Sequence, residues 1–329
     1  MHIAIATDAW FPQVNGVVTC YQHLIAELSK QHTVSVITPD DFHTIPNPLY
    51  PEIRISVVTR RSIAKKMDLI NPDAIHIATE GTIGLAARSY CLKNKKRFTT
   101  AYHTRFPEYL SELMFIPTFI GYAICKWFHS QADTMMVSTE SLAAELEIKG
   151  FNNTSIFPKG VNPELFKNYK TESNTYKRPI FLYVGRVSKE KNIEDFLQLD
   201  LPGTKVVIGD GPLRTSLQDK FPDVEFLGYK FGPDLALAYT NADVFVFPSL
   251  TDTFGMVMLE ALACGTPIAA YPVRGPIEVI GDSEVGILSR DLRQACLDAI
   301  NIKGDICKRH AKKFTWKESA ENFVKNLNI

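Results

Sequence analysis

The chain lacks the features that would place it outside a reducing, aqueous setting. Its six cysteines (Cys20, Cys91, Cys125, Cys264, Cys296 and Cys307) are widely spaced and form no CxxC pair. Neither a disulfide frame nor a thiolate zinc site organises such a pattern, and buried free thiols account for it better. Charge of one sign is not in excess either: 36 Lys and Arg balance 36 Asp and Glu. That balance argues against a general nucleic-acid binder, although a local basic patch stays open. No apolar run approaches a membrane span, and the opening "MHIAIATDAWFP" has neither the basic start nor the long apolar region of a secretory signal. These absences predict a cytoplasmic protein. Two phosphate-binding fingerprints are missing as well. Without GxxxxGK[ST], ATP-type phosphoryl transfer loses ground, and without GxGxxG a dehydrogenase does.

What is present is apolar material for two cores: 45% hydrophobic residues in a chain of 329, a length at which single cores usually divide. In the first half, short apolar runs at 2–7, 33–38, 53–58, 74–79, 97–103 and 134–139 alternate with amphipathic stretches at 16–29, 82–92, 119–130 and 140–148. Strands buried on both faces and separated by helices predict a parallel sheet covered on both sides. The polar stretch "KNYKTESNTYKRP" (167–179) breaks the pattern and reads as a linker. The alternation then restarts with strands at 180–185, 205–211, 224–229, 243–249 and 267–272, and helices at 190–198, 212–219, 233–241 and 256–264. Helical pattern returns from about residue 291 to the end. The expectation is an α/β protein of two doubly wound, Rossmann-like domains, 1–166 and 180–311, with residues 312–329 as a terminal helix that either lies on the surface or crosses back to the first domain. In such sheets ligands bind beyond the carboxyl ends of the strands, so two domains facing one another would leave a cleft there.

Four places carry chemistry. In "YVGRVSKEKN" (183–192) a strand ends at Gly185, and Arg186, Lys189 and Lys191 follow before a helix. A guanidinium fork, point charges and free helix amides suit a diphosphate, and three solvated bases are the bland alternative. In "VIGDGPLRTSL", Gly209 and Gly211 allow a tight turn that is either structural or ligand-facing. In "TDTFGMVMLEALACG", Thr251, Asp252 and Thr253 can cap a helix beginning near Phe254, but a cap does not require Gly255 or Glu260. Gly255 leaves room for an anion at the amides of Met256 and Val257. Asp252 at the mouth suits sugar hydroxyls. Glu260, a carboxylate within an apolar pattern, needs partners that ribose hydroxyls or a local hydrogen bond can supply. In the first half, Gly16 stands where a loop meets a helix, and His103 ends a strand, with Arg105 and Glu108 following on the acceptor side.

With these residues in view, the chain resembles a retaining GT-B glycosyltransferase of the large group-four family. The motifs "VGRVSKEKN", "IGDGPLRTSL", "VEFLGY", "ADVFVFPS" and "TDTFGMVMLEALACGTPIAA" occur in the family's order. "DAWFPQVNGVV" and "YHTRFPEYL" look like the subgroup of mannosyltransferases and glycolipid glucosyl- or sulfoquinovosyltransferases. The resemblance implies that Arg186 and Lys191 grip the nucleotide diphosphate and that Glu260 holds the ribose. It also implies that Gly255 with the Met256 and Val257 amides meets phosphate and sugar, that Gly16 contacts phosphate, and that His103 contacts the sugar's hydroxymethyl end. Asp252 stands where relatives commonly carry Glu, and Arg105 where many carry Asp. The family needs neither a metal nor a cofactor. Retention is implied by same-face attack, in which the leaving diphosphate helps take the acceptor proton, and the nucleotide base is expected to meet backbone near Phe226 to Lys230.

The acceptor is expected to be a lipid or a glycan. In 109–133, Leu110, Leu113, Met114, Phe115 and Ile116 form an apolar patch beside Glu112, downstream of Lys93, Lys95, Lys96 and Arg97. Either this is a core helix beside solvated bases, or it rests on an anionic membrane at the inner face of the cell. Two rival functions stay open, a non-catalytic nucleotide-sugar binder and a nucleotide-sugar epimerase.

Overall fold

The structure, a computed structural model, describes residues 1–47, 54–108, 111, 116–169 and 176–327. It divides into two compact units, Met1–Lys159 with Trp316–Ile329, and Gly160–Thr315.

The first unit contains β1 (His2–Ala6), α1 (Gly16–Leu28), β2 (Thr33–Ile37), the antiparallel pair β3 (Thr44–Pro46) and β4 (Arg54–Ser56), and α2 (Arg60–Ile70). It continues with β5 (Ala74–Ile77), α3 (Thr82–Lys93), β6 (Thr99–Ala101), α4 (Thr118–His129), β7 (Thr134–Val137), α5 (Glu140–Ile148) and β8 (Thr154–Ile156). Its main sheet is parallel, in the order β2-β1-β5-β6-β7-β8. Ile3, Ala4, Ile5 and Ala6 of β1 are all fully buried, as a near-continuous apolar strand covered on both faces must be.

The second unit repeats the plan with β9 (Ile180–Val184), α6 (Ile193–Leu197), β10 (Thr204–Ile208), α7 (Arg214–Lys220), β11 (Glu225–Phe226), α8 (Gly232–Asn241) and β12 (Val244–Phe247). Then come α9 (Met256–Cys264), β13 (Ile268–Ala270), α10 (Arg274–Ile280), β14 (Gly286–Leu288), α11 (Leu292–Ala299) and α12 (Gly304–Ala311). The parallel order is β11-β10-β9-β12-β13-β14. Strand order therefore reverses between β1 and β5 in one sheet and between β9 and β12 in the other. Loops leaving the carboxyl ends at such a reversal diverge to opposite faces and open a crevice.

Three features differ from the sequence-based expectation. Elements α2, α10, β14 and β3 carry too short or too polar a pattern to stand out, and the strand expected at 53–58 is β4, which pairs antiparallel with β3 and not in the main sheet. Residues 160–166, read as part of the first domain, belong to the second unit: Val161 and Phe166 are buried in its core beside Ile180 and Tyr239, and the Val161 amide donates to Phe314 O at 3.1 Å. The stretch from residue 291 is three helices, the last of which, α13 (Trp316–Asn326), belongs to the first unit. There the Trp316 ring stacks on His23 at 5.2 Å and Phe323 meets His76 and Phe157 at 4.8 and 5.5 Å. Asn326 donates to Ile156 O at 2.9 Å and Ser319 to Pro158 O at 2.6 Å. Full burial of a side chain such as Phe323 stabilises by about 1.5–3 kcal/mol, so a few such contacts hold the helix in place. All six cysteines are buried free thiols.

Candidate functional site

The second unit builds its site at the reversal between β9 and β12. Beyond Val184 the chain runs beside the loop that follows β10: the Gly185 amide donates to Ile208 O at 3.0 Å and Val187 to Asp210 O at 2.9 Å. This lacing explains the glycine pair. A Cβ on Gly209, whose φ is +131°, would sit 1.9 Å from Gly185 O, and one on Gly211 would sit 2.4 Å from Val187 O. Close backbone approach within the protein is enough to require both glycines. Leu227 and Gly228, in the segment expected to meet the base, are tied to the same edge by bonds to Val207 O and from the Gly209 amide.

Residues Lys189–Lys191 form a short 3-10 turn, and Asn192 at φ +51° separates it from α6, so the helix starts three residues later than its expected residue 190. The turn is fastened to the loop after β12. Thr251 donates to Glu190 O at 3.3 Å, and Asn192 Nδ2 donates to Pro248 O at 3.2 Å and to Asp195 at 2.7 Å. The principal link is Lys191 Nζ to Asp252 Oδ1 at 2.6 Å, with both side chains less than a third exposed. Arg186 Nε lies 4.0 Å from Glu190 Oε1 in the same turn. Burial acts to raise the Asp252 carboxyl, but the Lys191 ammonium prevails and holds it below the ordinary carboxylate value. The structure thus brings Arg186, Lys191 and Asp252 together at one edge.

Helix α9 begins at Met256, not near Phe254, with Gly255 at the N-cap position and no side-chain cap from it. Asp252 Oδ1 is instead paired with Lys191. Gly255 holds φ +87°, and a Cβ there would lie 2.7 Å from Met258 Cε and 2.9 Å from Phe247 Cζ, so only glycine fits. The amides of Met256 and Val257 belong to a first turn that has no acceptor within its own helix. One turn on, half-buried Glu260 accepts from the hydroxyl of fully buried Tyr239 at 2.9 Å. Burial raises the Glu260 pKa to about 7, against the lowering effect of the Tyr239 bond.

In the first unit, Gly16 opens α1, where Asn15 Oδ1 accepts from the amides of Val17 and Val18, both at 3.0 Å. His103 Nε2 lies 2.9 Å from Tyr21 Oη, which in turn lies 2.7 Å from His76 Nε2. Arg105 is held in a charge network: its guanidinium donates to Glu145 Oε2 at 2.7 Å and lies 3.5 Å from Glu108 Oε1. Lys149 bridges to Glu145 at 3.0 Å, and Tyr122 donates to Glu108. The Arg105 charge is therefore answered within this unit.

Two residues escaped the sequence reading. Asp8, beyond β1, has a half-buried carboxylate that accepts from Thr79 Oγ1, Thr82 Oγ1 and the amides of Ile83 and Gly84, at 2.9, 3.2, 2.8 and 3.2 Å. It caps α3 from another strand, and the available signal was a helix opening on "EGTIG" with no capping side chain of its own. Tyr21 lies on the buried face of α1 and is indistinguishable by pattern from a core aromatic. Among the described residues, no three or more of His, Cys, Asp and Glu gather as a metal-binding group, and no helix is long and apolar enough to cross a membrane.

The family description "Glycosyltransferase Family 4" matches residues 14–165, and "Glycosyl transferases group 1" matches residues 178–302. The chain is 27% identical to a GDP-mannose-dependent alpha-mannosyltransferase of Mycobacterium tuberculosis, over 88% of this chain and 83% of that one. It is also 27% identical to an alpha-monoglucosyldiacylglycerol synthase of Streptococcus pneumoniae, over 100% of this chain and 85% of that one. Among solved structures, sucrose-phosphate synthase from Thermosynechococcus elongatus superposes with a TM-score of 0.77 at 20% identity, covering 98% of this chain and 97% of that chain. An Anabaena protein in complex with UDP and glucose superposes at 0.71 with 15% identity, covering 99% of both chains. Matched in order through both halves and sharing this two-domain Rossmann-like fold, the chain belongs to the family-four GT-B glycosyltransferases, enzymes that transfer a hexose from a nucleotide-diphosphate sugar to an acceptor.

Proposed function

We propose that the chain takes a hexose from GDP-mannose or a UDP-hexose, with retention of anomeric configuration, and places it on a hydroxyl of a lipid or glycan. The observation that carries this reading is the cluster of Arg186, Lys191 and Asp252 at the β9–β12 reversal, beside the glycine-led start of α9. A diphosphate leaving group gains negative charge as the glycosidic bond breaks. Fixed cations and helix amides aimed at that charge stabilise the transition state more than the ground state. Entry of the diphosphate would compete for the Lys191 ammonium, freeing Asp252 to accept from sugar hydroxyls. Glu260 would accept from the ribose, Gly209 and Gly211 would shape the donor loop, and Gly16 and His103 would meet phosphate and sugar. Arg105 and Glu108, balanced in one network with Glu145 and Lys149, would shape the acceptor side without adding net charge. Same-face attack then lets the departing phosphate oxygen take the acceptor proton. The relatives' named donors and glycolipid products support this choice of substrates.

A thermal-shift panel of UDP-, GDP- and ADP-sugars tests the donor, because a ligand that binds only the folded state raises its apparent stability. The expected result is a shift with one base that disappears in Arg186→Ala with Lys191→Ala. NMR of the product's anomeric proton tests retention, and an inverted product would refute it.

The lipid reading has its own support. Helix α4 exposes Phe119 (72%), Ile120, Ile124 and Trp127 (55%) along one side. Arg88 stacks on the Trp127 ring at 4.2 Å, and Lys93, Lys95, Lys96 and Arg97 are exposed beyond α3. An apolar helix side flanked by bases suits the surface of an anionic bilayer. Of the apolar patch expected from the sequence, Ile116 is described, whereas Leu110, Leu113, Met114, Phe115 and the adjacent Glu112 lie outside the described residues. Flotation with phosphatidylglycerol vesicles at low salt should carry the wild type and leave Phe119→Ser/Trp127→Ser behind.

A further inference from the structure

Four side chains in the first unit form a buried line that ends at His103. Thr99 Oγ1 lies 2.8 Å from His76 Nδ1, His76 Nε2 lies 2.7 Å from Tyr21 Oη, and Tyr21 Oη lies 2.9 Å from His103 Nε2. The line draws on two strands, one helix and the segment after β6: Thr99 from β6, His76 from β5, Tyr21 from α1 and His103 two residues past β6. Thr99, His76 and Tyr21 are all fully buried, and Phe323 of α13 closes over the His76 ring at 4.8 Å. Water therefore cannot substitute for a missing partner along it.

We propose that Tyr21 is a positioning residue for glycosyl transfer: its hydroxyl, bridging His103 to His76, fixes the orientation and the tautomer of the His103 imidazole. The inference rests on the reading above that His103 meets the donor sugar. A neutral imidazole carries one N–H and one lone pair, and a phenol carries a single proton. If His103 holds its proton at Nε2 and donates to Tyr21, the phenol donates to His76 Nε2, and His76 carries its proton at Nδ1, facing Thr99. If Thr99 donates instead, every bond in the line reverses together. One hydroxyl thus locks two tautomers to each other, and through them decides whether His103 offers the sugar a donor or an acceptor. Neutrality of both rings is consistent with their surroundings. Burial first, then the buried Lys159 ammonium, holds the His76 pKa at about 3. The same two causes, followed by His76 and His129, hold His103 well below its ordinary value.

The test is Tyr21→Phe in the full chain, which keeps the buried ring and removes only the oxygen. With histidine ¹⁵N labels, the eight ring systems give resolvable long-range patterns, and His103→Gln identifies the relevant one by its loss. Wild type should show His103 as one tautomer and Tyr21→Phe as a mixture. Release of UDP from UDP-glucose, or of GDP from GDP-mannose, should show kcat reduced by about tenfold or more, with donor KM changed by less than about twofold, because the loss lies in orientation and not in donor grip. Thr99→Val should produce the same change more weakly, and Thr99→Ser should restore wild-type behaviour. An unaltered His103 tautomer in Tyr21→Phe overturns the proposal whatever the activity. If the tautomer changes but kcat does not, the proposal also fails, and His103→Gln locates the fault. Unchanged kcat in both variants refutes the sugar-facing role of His103, whereas loss in His103→Gln alone refutes the control by Tyr21.

Discussion

The two units share a sheet topology and treat the same position in opposite ways. At the β1–β5 reversal the first unit places Asp8, whose carboxylate takes two hydroxyls and two amides and seals the start of α3. At the β9–β12 reversal the second unit puts Gly255, which offers α9 no side chain, and sets Lys191 and Asp252 beside it as a pair that an incoming anion can divide. One fold thus satisfies one helix terminus internally and leaves another without a side-chain cap. Topology nominates both crevices. On the proposed reading, the residues lining them decide that the second crevice takes the phosphates.

The sharpest way to break this comparison is to remove the cation. Lys191→Ala should lower transfer by about 10²-fold or more, measured as nucleoside diphosphate release, and should abolish the donor's thermal shift. Retained activity within tenfold would mean that the phosphates sit elsewhere. The converse variant is Asp8→Ala. It orphans two amides and two hydroxyls at the start of α3, so stability in urea should fall by about 2 kcal/mol, while the donor's thermal shift persists. Loss of donor binding from a folded Asp8→Ala protein would show that the first unit's crevice also serves the donor, and the contrast would collapse.

How far the sequence anticipates all this follows from where the information resides. The parallel sheets are legible because strands such as β1, β9 and β12 are continuous apolar runs. Helix α5 coincides with its expected bounds, and α9 ends at its expected residue 264, because apolar spacing, glycine stops and turn residues agree. Arg186, Lys191 and Asp252 are legible as individual candidates, but their ion pair is not, since it joins loops 61 residues apart. The Asp8 cap spans 71 to 76 residues, and no local pattern announces it. Gly209 and Gly211 show why a motif alone stays ambiguous. Their spacing suggests a ligand loop, yet the neighbouring carbonyls of Gly185 and Val187 already demand glycine. Arg105 is similar: an unusual residue in the motif becomes ordinary once Glu145 stands opposite.

Glu260 sharpens the comparison with the smallest expected effect. Its pKa is raised by burial to about 7, and a carboxyl raised on folding favours the folded chain most when protonated. Its contribution is complete below the ordinary carboxylate value and is lost as pH rises through about 7. Donor-free protein should therefore lose thermal stability between about pH 5 and about pH 8, and Glu260→Gln should flatten that slope. Donor binding should follow the opposite sign. If the ribose hydroxyls donate to an ionised Glu260, the proton must leave first, so affinity should rise with pH by up to about tenfold per unit below neutrality and level off above it. Two slopes of opposite direction, both erased by one substitution, would separate a ribose-binding carboxylate from one that merely holds Tyr239. A donor affinity that is flat across this range in the wild type, beside a sloping stability, would assign Glu260 to the fold alone.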